Sequence, residues 1–213
     1  MNKKEIGHTG EYVFPIGLGT YNIKSYKRAM ESFLYAIQSG VDLIDTAQIY
    51  GTEDFVGELI KKAGREKLFV VTKIWPDKLY SEDLVKKAAE NSLKRLGIPY
   101  VDLMLIHWPN REISIERQVK NFEIVCKKGY TRYIGVSNFN SQDLKKAIES
   151  TNCEIHADEV KFSVIDRKNY FDLKEIIMER KITILAYTPI KRRNLSQYCT
   201  LNESPTKYFG PPV

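Results

Sequence analysis

Short runs of consecutive apolar residues recur along the chain, and amphipathic stretches fill the spaces between them. The runs are FPIGLGT (14–20), VDLIDT (41–46), KLFVVTKI (67–74), YVDLMLIH (100–107), TRYIGVSN (131–138), IHADEVKF (155–162) and ITILAYTP (182–189). Nearly unbroken apolarity over so few residues predicts strands buried on both faces, as in a parallel sheet. The stretches between them carry helical periodicity. SYKRAMESFLYAIQSG gathers Met30, Phe33, Leu34 and Ile37 on one face, and Gly40 follows as a stop. EDFVGELIKKAG repeats the pattern on a shorter scale. Ser81 is placed to cap SEDLVKKAAENSLKRLG, with Leu84, Val85, Ala88, Leu93 and Leu96 turned inward and Gly97 ending it. ISIERQVKNFEIVCKKG, SQDLKKAIES and YFDLKEIIMERK read as the remaining helices.

Strand starts fall about 25 to 30 residues apart, the size of one βα unit. Strict alternation predicts an α/β fold with parallel strands, and the even spacing favours a (β/α)8 TIM-barrel type over a doubly wound sheet. KEIGHTGEYVF predicts a small N-terminal β-hairpin turning at Gly10, ahead of the first barrel strand. The strand count reaches seven, so the barrel is expected to be incomplete. In the closing LSQYCTLNESPTKYFGPPV, TLNE suits a helix start, but the prolines and glycine that follow oppose a helix. Two unpaired strand edges attract partners, and a homo-oligomer covering the open barrel edge is one expectation. With no Pro/Ser-rich linker, residues 1–213 are expected to form a single domain, residues 204–213 being an atypical tail.

Composition narrows the class. The chain has 213 residues, 43% hydrophobic and 28% charged, which suits one globular domain with a real core. MNKKEIGHTG has no apolar stretch behind its basic start, and no run approaches the ~20 apolar residues of a membrane span. Cys126, Cys153 and Cys199 are odd in number and far apart in sequence, which argues for a reducing cytoplasm and against a disulfide or metal framework. The net charge of +6 comes from lysines interleaved with acids on helix faces, and no aromatic–basic motif accompanies it. Neither nucleic acid nor membrane is expected as a partner.

In (β/α) barrels, chemistry gathers at the carboxyl ends of the strands. Asp45 ends the second strand, Tyr50 follows in its loop, and Lys73 and His107 end the third and fourth. An ammonium near a phenol lowers its pKa from ~10, and a buried ammonium needs an anion such as Asp45. A neutral histidine can hold a carbonyl oxygen near the phenol. The set suits protonation of an oxygen as a hydride reaches the adjoining carbon. Taken singly, Asp45 could cap a turn, Lys73 reach solvent and His107 fill a core. His8 reads as a turn residue and His156 as structural.

DTAQIYG, VVTKIW, LIHWP, IGVSNF, AYTPI and GLGTY, at this spacing, resemble the aldo-keto reductase family over roughly residues 6–203. The resemblance implies NADP(H)-dependent reduction of aldehydes and ketones to alcohols. It implies Tyr50 as proton donor, Lys73 as its pKa partner, Asp45 as the lysine's counter-ion and His107 as orienter. Trp75 and Trp108 match positions that wall the substrate pocket, and the substrate is expected to be a small carbonyl compound. On the cofactor side the matching positions are Gly19, Thr20, Tyr21, Asp45, Ser137, Asn138, Glu159, Tyr187, Thr188 and Arg192. The sixth-strand pair, commonly Asn-Gln in the family, is Asp158-Glu159. Glu159 brings an anion to the nicotinamide site and is expected to favour the oxidised, cationic ring; the alternative is a charge pair facing water. The Lys-Ser…Arg segment that grips the adenosine 2′-phosphate in the family has no counterpart. Weakened affinity for NADP(H) is therefore expected, with NAD(H) as an alternative cofactor. Hydrogen bonds to charged groups contribute ~1.5–3 kcal/mol each. The rival reading is a non-catalytic scaffold with a relic site, binding partners at the open edge.

Overall fold

The computed structural model of this chain describes residues 2–190. The chain opens with an antiparallel hairpin, β1 (Lys4–Glu5) and β2 (Tyr12–Val13). Strands and helices then alternate: β3 (Leu18–Gly19), α1 (Tyr26–Gln38), β4 (Leu43–Asp45), α2 (Glu53–Ala63), β5 (Phe69–Ile74), α3 (Glu82–Leu96) and β6 (Val101–Ile106). They continue with α4 (Ile115–Phe122), α5 (Ile124–Lys127), β7 (Thr131–Ser137), α6 (Ser141–Ser150), β8 (Ile155–Lys161), α7 (Lys168–Arg180) and β9 (Thr183–Tyr187). Strands β3 to β9 form one seven-stranded sheet, all parallel and in sequence order. This is the barrel-type α/β architecture expected from the alternation. Among the described residues, β3 and β9 have no strand between them and the barrel stays open there.

Two cores follow from the two faces of each strand. Ile44, Val70, Ile74, Met104, Ile106, Ile134, Val136 and Val160 point outward and pack beneath the helices. Leu43, Phe69, Val71, Leu103, Leu105 and Ala157 point inward, where Ile6 and Val13 of the hairpin join them. The hairpin thus plugs the barrel floor. Thr183 Oγ1 on β9 anchors it, accepting from the Gly7 N–H at 2.7 Å and donating to the Glu5 carbonyl at 3.2 Å.

The helix signals read from sequence act as expected at Ser81, whose hydroxyl accepts from the Leu84 N–H, and at Gly97, which turns left-handed at φ 67°. Three expectations need correction. Leu84 is 41% exposed, because the buried stripe of α3 runs through Val85, Ala88, Ala89, Leu93 and Leu96 and leaves Leu84 beyond its margin. The helix expected over ISIERQVKNFEIVCKKG breaks at Glu123 into α4 and α5. Glu123 is buried at that joint, held by Lys120 and Lys127 and by the Asn152 N–H. The first barrel strand is only Leu18–Gly19, since it has the β4 ladder on one side and no described strand on the other. Cys126 and Cys153, far apart in sequence, come within hydrogen-bonding reach, and burial together with the Cys153 thiol pushes the Cys126 thiol up.

Candidate active site

The inward rows of the strands build the site. Asp45 lies two residues beyond Leu43, Lys73 two beyond Val71 and His107 two beyond Leu105. Ser137 lies two beyond Gly135 and Glu159 two beyond Ala157. The same two-residue period that fills the barrel with apolar side chains therefore delivers polar groups to its carboxyl end. Tyr50 comes from a 3-10 turn, Gln48–Tyr50, that follows β4 and ends at left-handed Gly51.

Lys73 is fully buried, with 0% exposure. Its ammonium donates to Asp45 Oδ1 and to the Thr46 carbonyl at 3.0 Å, and Glu159 Oε2 lies 3.2 Å away. The same nitrogen stands 5.1 Å from the centre of the Tyr50 ring. The solvent-reaching alternative for Lys73 is thereby excluded, and so is the water-facing charge pair. Asp158 is buried on the outward row, and Glu159 is buried on the inward one.

The Tyr50 hydroxyl lies 3.4 Å from His107 Nε2. Tyr21 and Trp75 stand edge-on to Tyr50 and His107, with ring centres 5.1 Å apart in both pairs. Burial, and secondly the Lys73 charge, push His107 down to about 3, so the imidazole is neutral at ordinary pH. The expectation of an unusually acidic phenol is reversed. Burial pushes Tyr50 up to about 12; Lys73 pulls it down, while Asp45 and Glu159 push it up. The carboxylates that keep the ammonium charged also cancel much of its effect on the phenol.

A cavity of about 1400 Å³ runs from the hairpin, at Ile6 and Val13, along β9 to this cluster. Tyr50, His107, Trp75, Trp108, Asp45, Gly19 and Tyr21 line it from the early strands, and Ser137, Asn138, Glu159, Tyr187 and Thr188 from the late ones. Lys73 lies beneath the lining. Thr20, grouped with the cofactor residues in the sequence reading, does not line it. Its side chain is buried 2.8 Å from Thr52 Oγ1, and its N–H donates to the Asp45 carbonyl at 2.9 Å. Arg192 lies outside the described residues, as does the 204–213 tail. Among the described residues, no helix is long and apolar enough to cross a membrane.

On the late-strand wall, Asn138 holds the left-handed φ of 61°. Its Nδ2 donates to the His107 carbonyl at 3.1 Å and to Ser137 Oγ at 2.9 Å, and its Oδ1 accepts from the Tyr187 hydroxyl at 2.7 Å. Side-chain amide, hydroxyl and carboxyl groups beside an aromatic ring suit a flat ring bearing a carboxamide. The Asn138, Ser137 and Tyr187 donors are taken up within the wall, and it is the acceptor oxygens and the Tyr187 ring that fit a nicotinamide. Sequence reasoning found these wall residues but missed the contact between Glu159 and Lys73. Its only signal is that both occupy inward positions near the ends of their strands.

Comparison with known proteins agrees with this geometry. A family model described as the aldo/keto reductase family matches residues 15–207. The methylglyoxal reductase DkgB of Escherichia coli O157:H7 is 35% identical over 189 residues, which cover 87% of this chain and 66% of that protein. A crystal structure of a thermostable aldo-keto reductase with the inhibitor epalrestat superposes with a TM-score of 0.86 at 40% identity, covering 93% of this chain and 76% of that one. An aldo/keto reductase from Klebsiella pneumoniae, crystallised with NADP and acetate, gives a TM-score of 0.84 at 26% identity, covering 93% and 73%. The chain spans about two thirds of the length of the curated relatives it matches.

Proposed function

This chain belongs to the aldo/keto reductase family, and from that premise we propose that it reduces small aldehydes and ketones to alcohols with a nicotinamide cofactor. The observation that carries the reading is the pairing of the Tyr50 hydroxyl with neutral His107 at the mouth of the cavity, above the buried Lys73–Asp45 pair. The reduced nicotinamide, when bound, supplies the hydride. Ser137, Asn138, Glu159 and Tyr187 would hold its carboxamide and ring, with Gly19, Tyr21 and Thr188 completing that side of the cavity. Trp75 and Trp108 would wall the carbonyl compound.

His107, uncharged, orients the carbonyl oxygen with an imidazole N–H, and Tyr50 gives that oxygen its hydroxyl proton as negative charge develops there. A phenol with a raised pKa remains protonated throughout the neutral range, which suits a donor. The developing alkoxide is a far stronger base than a phenolate, so the transfer still runs downhill. Lys73 limits the cost of the phenolate left behind, and Asp45 acts only indirectly, by keeping that ammonium charged.

The DkgB relative is a methylglyoxal reductase, which makes a small dicarbonyl the first substrate to assay. Arg192 belongs to the same reading as a pyrophosphate contact. NADP(H) is taken as the cofactor with weakened affinity and NAD(H) as the alternative. Residues 1–213 are taken as one domain.

The test is quenching of Trp75 and Trp108 fluorescence by NADPH, together with turnover of methylglyoxal. Tyr50→Phe should abolish turnover and leave cofactor binding nearly unchanged. Equal inertness of the folded wild type and variant would leave the scaffold reading standing. Sedimentation of the intact chain would then show whether a second copy covers the gap between β3 and β9.

A further inference from the structure

Lys73 brings one positive charge to the buried cluster, whereas Asp45 and Glu159 together can bring two negative charges. A neutral residue at position 159 would leave the cluster balanced; an ionised Glu159 leaves it with one negative charge in excess. That excess lies on the cavity wall, beside Asn138 and Tyr187. We propose that ionisation of Glu159 switches the site's preference between cofactor oxidation states, favouring the cationic oxidised nicotinamide at alkaline pH and losing that preference when the carboxyl holds a proton. The inference rests on the cofactor reading above.

The surroundings of Glu159 support an ionisation in the working range. Burial, and then Asp45, push its carboxyl up, and Lys73 opposes them, leaving it at about 8. The other groups facing it stay in one state there. Tyr50 titrates at about 12, and Lys73 is raised further by its anions. His107 titrates at about 3, and Tyr187 is raised by burial and by Glu159 itself. Asp158, on the same strand, points outward and is itself pushed up by burial, so it is the one competing titration. An anion on the wall that would hold a cationic ring strengthens that ring's binding, whereas the reduced ring carries no such charge.

The experiment measures NADP+ and NADPH affinities by calorimetry at about pH 6.5 and about pH 9.5, on the intact chain and on Glu159→Gln. The ratio of the two affinities cancels the ionisation of the phosphates, which both forms carry. In wild type the ratio should move about tenfold toward NADP+ at the higher pH, the scale of a screened charge contact. In Glu159→Gln it should stay flat. A flat ratio in wild type, or an equal shift in the variant, overturns the inference; a shift removed by Asp158→Asn instead would also do so. Carbon-13 NMR of labelled glutamate in wild type supplies a variant-free check. One carboxyl resonance should titrate near pH 8, and its absence overturns the inference. Failure of either cofactor form to bind at either pH would defeat the cofactor reading as well, whereas binding with a flat ratio defeats this inference alone.

Discussion

The Tyr187 hydroxyl donates a 2.7 Å hydrogen bond to Asn138 Oδ1, tying the end of β9 to the turn after β7. The contact spans β8, since β9 pairs with β8 and β8 with β7. It fixes the wall that would face the cofactor.

Substitutions at this pair separate side-chain from backbone effects. Tyr187→Phe should cost about 1 kcal/mol, the net worth of one hydrogen bond. Asn138→Gly should cost more, because two further bonds are lost. Asn138→Ala should exceed Asn138→Gly by about 1 kcal/mol or more, because alanine resists the left-handed region in which φ is 61°. Urea unfolding at constant m-value measures all three. Equal costs for the alanine and glycine variants would refute the backbone part.

His107 governs an acid-side loss of stability. Its folded pKa, about 3, lies below its ordinary value of 6.5, so the unfolded chain binds the extra proton first. Its contribution should be intact above the ordinary value and fall away as the pH drops from there toward 3. Thermal melts of wild type and His107→Gln across this window should converge on the acid side. The same shift means that no histidine limb from His107 should appear in the pH–rate profile of reduction between about pH 5 and 8.

Glu159 should act with the opposite sign. Its folded pKa, about 8, exceeds its ordinary value of 4.5, so the folded chain holds the proton longer. Its contribution is fully present below 4.5 and is lost as the pH rises through about 8. Glu159→Gln should therefore gain thermal stability relative to wild type between pH 5 and pH 9, by several degrees for a chain of this size. A gap that does not change with pH would contradict the raised pKa.

Gly57 sets the approach of α2 to α3. A methyl group there would lie 2.8 Å from the Arg95 carbonyl oxygen and 2.9 Å from that of Leu96, both rigid helix backbone. Gly57→Ala should cost about 1–3 kcal/mol through forced separation of the helices. Cofactor affinity should be unchanged, because the strain lies in the helical layer, outside the barrel. A neutral result in chemical denaturation would show that the helices shift freely.

Legibility differed from residue to residue. Lys73 and Asp45 could be paired from sequence because they end neighbouring strands, and neighbouring parallel strands bring their carboxyl ends together. Trp75 and Trp108 were legible for the same reason: Trp108 directly follows His107, which lines the cavity, and Trp75 lies two residues beyond the inward-facing Lys73. GLGTY shows the place of Thr20 in the chain but not where its side chain points, which is toward Thr52. The helix break at Glu123 was hidden because the apolar periodicity runs straight through it. What holds the joint is a pair of lysines and an N–H from a distant loop.

The sequence by itself determined the alternation of strand and helix, the two-residue rows that fill the barrel, the caps at Ser81 and Gly97, and the residues at the strand ends. Those features depend on local backbone geometry and on which positions can be buried. Tertiary structure alone decided that Glu159 reaches across from β8 to Lys73 on β5, and that Tyr50 is a weaker acid than free tyrosine rather than a stronger one. Desolvation and Coulomb interaction act through space and sum over every nearby group, so a side chain's charge state is set by neighbours that the order of residues does not reveal.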